Sequence, residues 1–320
     1  MPALPTHILP ELPYTELVYV QGGSFLFGDN DRPITIPDFA IGKYPVTQAL
    51  WQTIMKNNPS QFKDPCRPVE SASWHDAQEF LTQLNLRCGS KLPTRCAYRL
   101  PNESEWEYAA RGGIQTQNYE YAGGNDLDKL GWYDDNSHGE TKAVGLKLPN
   151  KLGIHDMSGN VWEWCEDHWH WETKETPADG SPWLDELKQD AFRVIRGGSW
   201  SILAQSCRSA ARDDYHPTFR DFNVGFRVVF SLQAVGLLIP NNSREQNPSN
   251  PRFRPWEAPP KNKPRISIVE KKQDEQGEWT SEGRAVRRSR VLPGKHLFQI
   301  LGIKNVNLQL PTSGIAAQRR

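Results

Sequence analysis

Between residues 17 and 46 the chain alternates short apolar runs with glycine and proline: LVYV, GGSFLFG, then ITIPDFAIGKYPVT. Runs this short, closed by turn residues, predict brief strands joined by tight turns. From Val46 to Met55 the spacing becomes helical, with Thr47 placed to cap QALWQTIM. A second helix is predicted after Ser73, where Ala77, Phe80, Leu81 and Leu84 share one face and Gly89 ends the run. In RLPNESEWEYAARGG (99–113), Asn102 or Ser104 can cap a third helix whose first turn is acidic. Residues 114–190 carry few periodic segments and much Gly, Asn, Asp and Trp, which reads as a long irregular stretch. RVIRGGSW (193–200) and VGFRVVF (224–230) read as the clearest strands. Beyond about residue 240 the chain turns polar and proline-rich; RISIVEKK and HLFQILGI there are strand-like but do not define a fold.

Composition changes this picture in three ways. The chain is formally neutral, with 38 basic and 38 acidic residues, yet residues 241–320 hold 16 Lys and Arg against 7 Asp and Glu. That leaves 22 against 31 in the first 240, an acidic body followed by a basic segment. Twelve tryptophans supply large buried areas to a chain poor in long strands. Five cysteines, Cys66, Cys88, Cys96, Cys165 and Cys207, are an odd number without a CxxC pair, so the reading is five reduced thiols. No apolar run approaches the roughly 20 residues of a membrane span. The N-terminal MPALPTHILPELPY lacks the pattern of a secretory leader, which gives a cytoplasmic expectation and excludes a membrane partner.

Seven motifs stand in a fixed order: GGSFLFG, KYPVTQALW, RPVESASWHDAQEF, RLPNESEWEYAARGG, LGIHDMSGNVWEWCED, RVIRGGSW and CRSAARDDYHPTFRDFNVGFRVVF. Together they resemble the formylglycine-generating, sulfatase-modifying factor family over roughly residues 15–231. The resemblance implies an α+β, irregular and loop-rich fold of C-type-lectin-like type, with short strands and a few helices. The expected organisation is an extension at 1–14, this domain at 15–231, and a Pro-rich, basic, largely disordered tail at 232–320. Fold alone does not settle function in such a family.

The family's oxidases hold copper between two thiolates, soft ligands suited to Cu(I). Here the corresponding segment, Ser201 to Cys207, has one sulfur, immediately before Arg208, so copper is not expected. The resemblance further implies one structural calcium on Asp156, Gly159, Val161 and Glu163, an oxygen set of the kind calcium takes; the bland reading is a turn cap at Asp156 and an arginine partner for Glu163. His168 and His170, with Glu166 and Asp167 beside them, form an alternative metal cluster by spacing. The remaining reading is binding. Ser199, Trp200, Ser201, Ile202 and Leu203, then Arg212, Asp213, Asp214, Tyr215, His216, Phe219, Asp221 and Phe222, lie between fixed motifs, with the layout of a recognition surface. This layout also resembles ligand-binding proteins diversified by retroelements. The expectation is a non-oxidase binder of a protein or peptide; the alternative is a metal-dependent enzyme modifying a protein or small molecule. Nucleic acid enters only through RAVRRSR in the basic tail.

Overall fold

A computed structural model describes residues 16–29, 32–89, 96–185 and 190–231, together with the backbone of 267–273 and 279–285. Contacts divide the chain into a unit from Met1 to Asn241 and one from Asn242 to Arg320.

The first unit opens with four short strands, as the alternation of runs and turns predicts: β1 (Leu17–Val20), β2 (Gly23–Phe27), β3 (Arg32–Ile36) and β4 (Phe39–Gly42). β2 and β3 form a hairpin. Helix α1 (Gln48–Met55) begins at Thr47, whose hydroxyl accepts from the N–H of Leu50, and α2 (Trp74–Cys88) begins at a capping box between Ser73 and Asp76. Strand β5 (Ala97–Arg99) leads into α3 (Glu103–Ala110), capped by Asn102 with Glu105. The irregular stretch contains a single-turn helix, α4 (Leu127–Leu130), and a strand that periodicity does not predict, β6 (Trp162–His168). β6 is buried on both faces, so its residues show no alternation of apolar and polar. β7 (Arg193–Arg196), β8 (Arg212–Tyr215), β9 (Val224–Gly225) and β10 (Val229–Ser231) complete the unit.

Two four-stranded sheets result, one ordered β1-β4-β10-β5 and the other β8-β7-β6-β9. The expected single strand VGFRVVF is therefore corrected. Its first two residues pair in parallel with β6, and its last two with β4 and β5. The break falls at Phe226–Val228, because Arg227 turns inward, fully buried, to reach Glu163.

The core is two buried clusters. In one, α1 and α2 press Leu50, Trp51, Phe80 and Leu84 against Trp164, Ile195 and Phe230, with Trp51 stacked on Phe80 at 5.4 Å. In the other, Phe27, Ile34, Phe39 and Ile41 meet Trp106, Met157 and Val194. All eight residues of α3 are buried, its three glutamates included. Each finds arginine: Glu105 with Arg99, Glu107 with Arg111 and Arg196, Glu103 with Arg196 and Arg212. A buried carboxylate is tolerable only when paired and hydrogen-bonded.

In the second unit, β11 (Ser267–Gln273) and β12 (Trp279–Ala285) form an antiparallel hairpin. β11 covers most of RISIVEKK; HLFQILGI and the proline-rich stretch lie outside the described residues.

Candidate functional site

β7 and β8 bracket residues 197–211, and β8 and β9 bracket 216–223, so both candidate segments emerge from one sheet. Arginines lock the frame beneath them. Arg196, at the end of β7, reaches Glu103 and Glu107 and also donates to the carbonyls of Ser209 (2.8 Å) and Ala210 (3.2 Å), pinning the far end of the first segment. Arg212 makes a two-pronged pair with Glu103, both bonds 2.7 Å, donates to the carbonyl of His170, and lies over the Trp169 ring. Planar bidentate pairs of this kind fix orientation as well as charge. At the first turn of the segment, Gly198 stands at φ +74°, where a Cβ would come within 2.6 Å of the Cys207 sulfur.

The thirteen expected binding residues divide in two. Ser199 is fully buried, and Trp200 is nearly so, its indole N–H donating to the Phe222 carbonyl. With Arg212 committed to Glu103, these three belong to the frame, not to a contact surface. Their motif positions signal fold because the GGSW turn must seat its side chains inward. Ser201 meets Ser199 at 3.3 Å and accepts from Asn223 at 3.2 Å, joining the two segments. Trp200, Phe222 and Phe62 form an aromatic cluster with ring separations of 5.5, 5.5 and 6.4 Å. Ile202 packs partly into the core.

Leu203, Asp213 and Phe219 are exposed, while Asp214, Tyr215, His216 and Asp221 are half-buried. Tyr215 packs 4.4 Å from Phe219, and burial, with neighbouring aspartates, pushes its hydroxyl up to about 12. His216 bonds Thr218 and sits against Phe192. Burial raises the carboxyl of Asp221, which accepts from the Phe222 N–H, while its carbonyl accepts from Ser71. Arg220 ties the second segment to Asp76 of α2 through bonds of 2.6 and 2.8 Å.

Of the expected residues, only Arg212 and Asp213 border the neighbouring cleft, which encloses about 600 Å³. The others that line it include Gly28, Asp29, Trp171, Gln205 and Arg208. Arg208 spans to Asp29 with bonds of 3.1 and 3.2 Å, joining this wall to the β2–β3 turn. Sequence reasoning misses Asp29 and Trp171 because they lie far from the motif they face; Trp171, the second Trp of HWHW, is the only signal.

Metal chemistry finds limited support in these residues. None of the five cysteines forms a disulfide. Cys207 is fully buried among Tyr121, Leu127, Leu130 and Tyr133, and burial pushes its thiol up to about 12, the setting of an inert packing residue. The histidine cluster does not converge: β6 ends at His168, and His170 stacks on Trp183 at 3.7 Å and meets Asp185. Asp167 is spent on the N–H groups of Glu103 and Trp183, and Glu166 accepts from Gln78. Among the described residues no group of three or more His, Cys, Asp or Glu is placed to hold a metal ion.

The expected calcium set divides as well. Glu163 does not fit a calcium ligand as it stands: Arg227 takes both its oxygens, at 2.6 and 2.7 Å, and Trp106 adds a third bond. A guanidinium already supplies the positive charge. Gly159, at φ +93°, presses against the Trp132 backbone where a Cβ would meet it at 2.2 Å, and Val161 is fully buried. Asp156 differs. Its Oδ2 accepts from Gly145 at 2.8 Å, its Oδ1 has, among the described residues, Asn160 alone at 3.5 Å, and burial raises its carboxyl. That oxygen retains acceptor capacity.

The order of strands, the glutamate-lined α3 and the GGSW turn now meet an independent match. The model of the sulfatase-modifying factor enzyme 1-like domain fits residues 7–232. The chain belongs to this family. The family member is 34% identical to chaperone protein LppX of Paenibacillus barcinonensis over 58% of its own length and 78% of that protein. It is 32% identical to the formylglycine-generating enzyme of Thermomonospora curvata, over 64% and 71% of the two chains. Against serine/threonine-protein kinase pkn1 of Chlamydia caviae, 28% identical, it spans only 38% of the longer protein. Among solved structures, Treponema denticola variable protein 1 superposes with a TM-score of 0.60 at 28% identity, covering 67% of this chain and 94% of that one. These likenesses make the domain a C-type-lectin-like α+β fold. Among the described residues no helix is long and apolar enough to cross a membrane.

Proposed function

We propose that this sulfatase-modifying factor relative is a binding protein, whose exposed residues between 201 and 223 hold a protein or peptide partner. One observation carries the reading: Leu203 and Phe219 stand exposed on the two segments, and Asp213 on the β8 strand between them, while Arg196, Arg212 and Arg220 tie this region to the frame. A clamped frame with exposed, chemically mixed side chains is the economy of a recognition surface, since contacts form without ordering a loose backbone. The likeness to a variable protein and a relative named as a chaperone support the same reading. Retroelement diversification belongs to the proposal; sequencing the gene across many cells of one culture tests it, and invariant codons for 201–223 would reject it. The binding reading itself is tested by placing a photo-crosslinking side chain at Leu203 and Phe219, with Leu86 on α2 as control. A discrete adduct at the first two positions and none at the control is the expected result. Equal labelling everywhere, or conversion of a cysteine peptide to the aldehyde by the purified chain, overturns it.

A calcium ion on Asp156 is part of this proposal. It rests on the family resemblance and on the spare Oδ1 of a buried carboxylate. Elemental mass spectrometry of the untagged protein should find about one calcium per chain. None would remove the ion; stoichiometric copper or iron would sink the binding reading in favour of an enzyme.

A further inference from the structure

β8 is an edge strand. It pairs with β7 on one side, and among the described residues no strand occupies the other. In an antiparallel pair alternate residues direct their N–H and C=O groups to the neighbour, and the others direct theirs away. The N–H of Asp214 bonds the carboxylate of Asp213 at 2.9 Å, so Asp214 is of the outward kind. By the period of two, Arg212 is the other. The edge therefore offers two consecutive pairing positions, one of which is held only by an exposed side chain.

We infer that this edge, resting on the binding reading above, is the docking strand for an extended basic peptide segment of a partner protein. Main-chain bonds to Arg212 and Asp214 would supply a fifth strand, and lysine or arginine opposite Asp213 would supply register. Three features favour that occupant. Asp213 and Asp214 adjoin, and among the described residues no cation bonds either, Arg212 being committed to Glu103; an arriving positive group relieves their repulsion while drawing the Asp213 carboxylate off the Asp214 N–H. The cleft beside the edge has Gly28, Ala210 and Ala211 in its lining, small enough for a second backbone to come close, and its Arg208 is already paired with Asp29. Trp171, also in the lining, is 86% exposed and set edge-on to Trp169 at 5.6 Å, a platform for the stem of a long basic side chain. The opposing explanation is that Asp213 guards an open edge against pairing with other copies of the chain.

The test uses the full chain and a displayed library of random linear dodecapeptides. The enriched sequences should carry lysine or arginine at alternate positions. Methylating alternate backbone nitrogens of the best peptide should weaken it about tenfold or more, because each methyl removes a pairing donor. Asp213→Asn should weaken it about fivefold, as expected for a partly exposed charge pair. Amide exchange at Arg212 and Asp214 should slow on binding. No enrichment, or affinity indifferent to backbone methylation, overturns edge pairing; the crosslinks at Leu203 and Phe219 are read without peptides and fail or succeed separately. Unchanged affinity in Asp213→Asn, together with new concentration-dependent dimerisation, assigns Asp213 to guarding the edge and also overturns the inference.

Discussion

Asp167 shows how one side chain can link the frame to pH. Burial, and then the nearby charge of Glu103, raise its carboxyl to about 7, against the bonds it accepts from Trp183 and Glu103. The folded state thus keeps a proton that the unfolded state has released, through the window from the ordinary carboxylate value, 3.8, to about 7. Stability falls as pH rises through that window, because the native state binds more protons there. Asp167→Asn cannot lose a proton. Relative to this variant, the wild-type Tm should drop by several degrees between about pH 4 and about pH 8. Parallel thermal profiles would assign the raised value no part in stability. At this scale the sequence is a partial guide. It places Ser199, Trp200 and Arg212 near the candidate face, but a motif does not say which way a side chain turns, and all three turn inward or into ion pairs. It anticipates an arginine partner for Glu163 but not which one, since Arg227 stands 64 residues away.

At the scale of elements, capping is legible where it is local. Thr47, Ser73 and Asn102 each precede a periodic run, and each is an N-cap in the structure. Ser73 is the most instructive, because Asp76, its partner in the capping box, also binds Arg220 of the second candidate segment. Ser73→Ala should cost about 1 kcal/mol by chemical denaturation, the usual worth of such a cap. Arg220→Ala should cost less, as an exposed pair does, yet speed amide exchange in 216–223. A cost for Arg220→Ala equal to that of Ser73→Ala would mean that the ion pair, not the cap, starts the helix. Strands were less legible. β6 is buried on both faces with charged residues among its tryptophans, so it gives no clean period, and VGFRVVF reads as one strand although Arg227 divides it between two sheets.

Across the whole molecule, Arg227 joins parts that sequence places far apart. It donates to the carbonyl of Gly42, the last residue of β4, to the His155 carbonyl, and to Glu163 on β6, so one fully buried side chain bridges both sheets. Arg227→Ala should destabilise the first unit by about 3–5 kcal/mol, since it strands the buried charge of Glu163. Adding Glu163→Gln should recover part of that loss; denaturant midpoints of the two single and the double variants would show it, and strict additivity would deny the coupling. The fold class was legible because seven local motifs in order specify it together. The cleft was not, because it is assembled from the β2–β3 turn, residues 171–173 and residues 205–213.

The divided segment at 224–231 bears on how the protein is made. Strand β10 sits between β4 and β5, and β9 closes the other sheet, so neither sheet is complete until these last residues have been synthesised. Every earlier intermediate carries β4 and β5 with open edges, and the pairings that cover them span long stretches of chain, which are slow to form. A nascent chain stalled before Val224 would thus expose apolar strand edges of both sheets. Until residues 224–231 are available, those open edges are what chaperones acting during translation would have to cover.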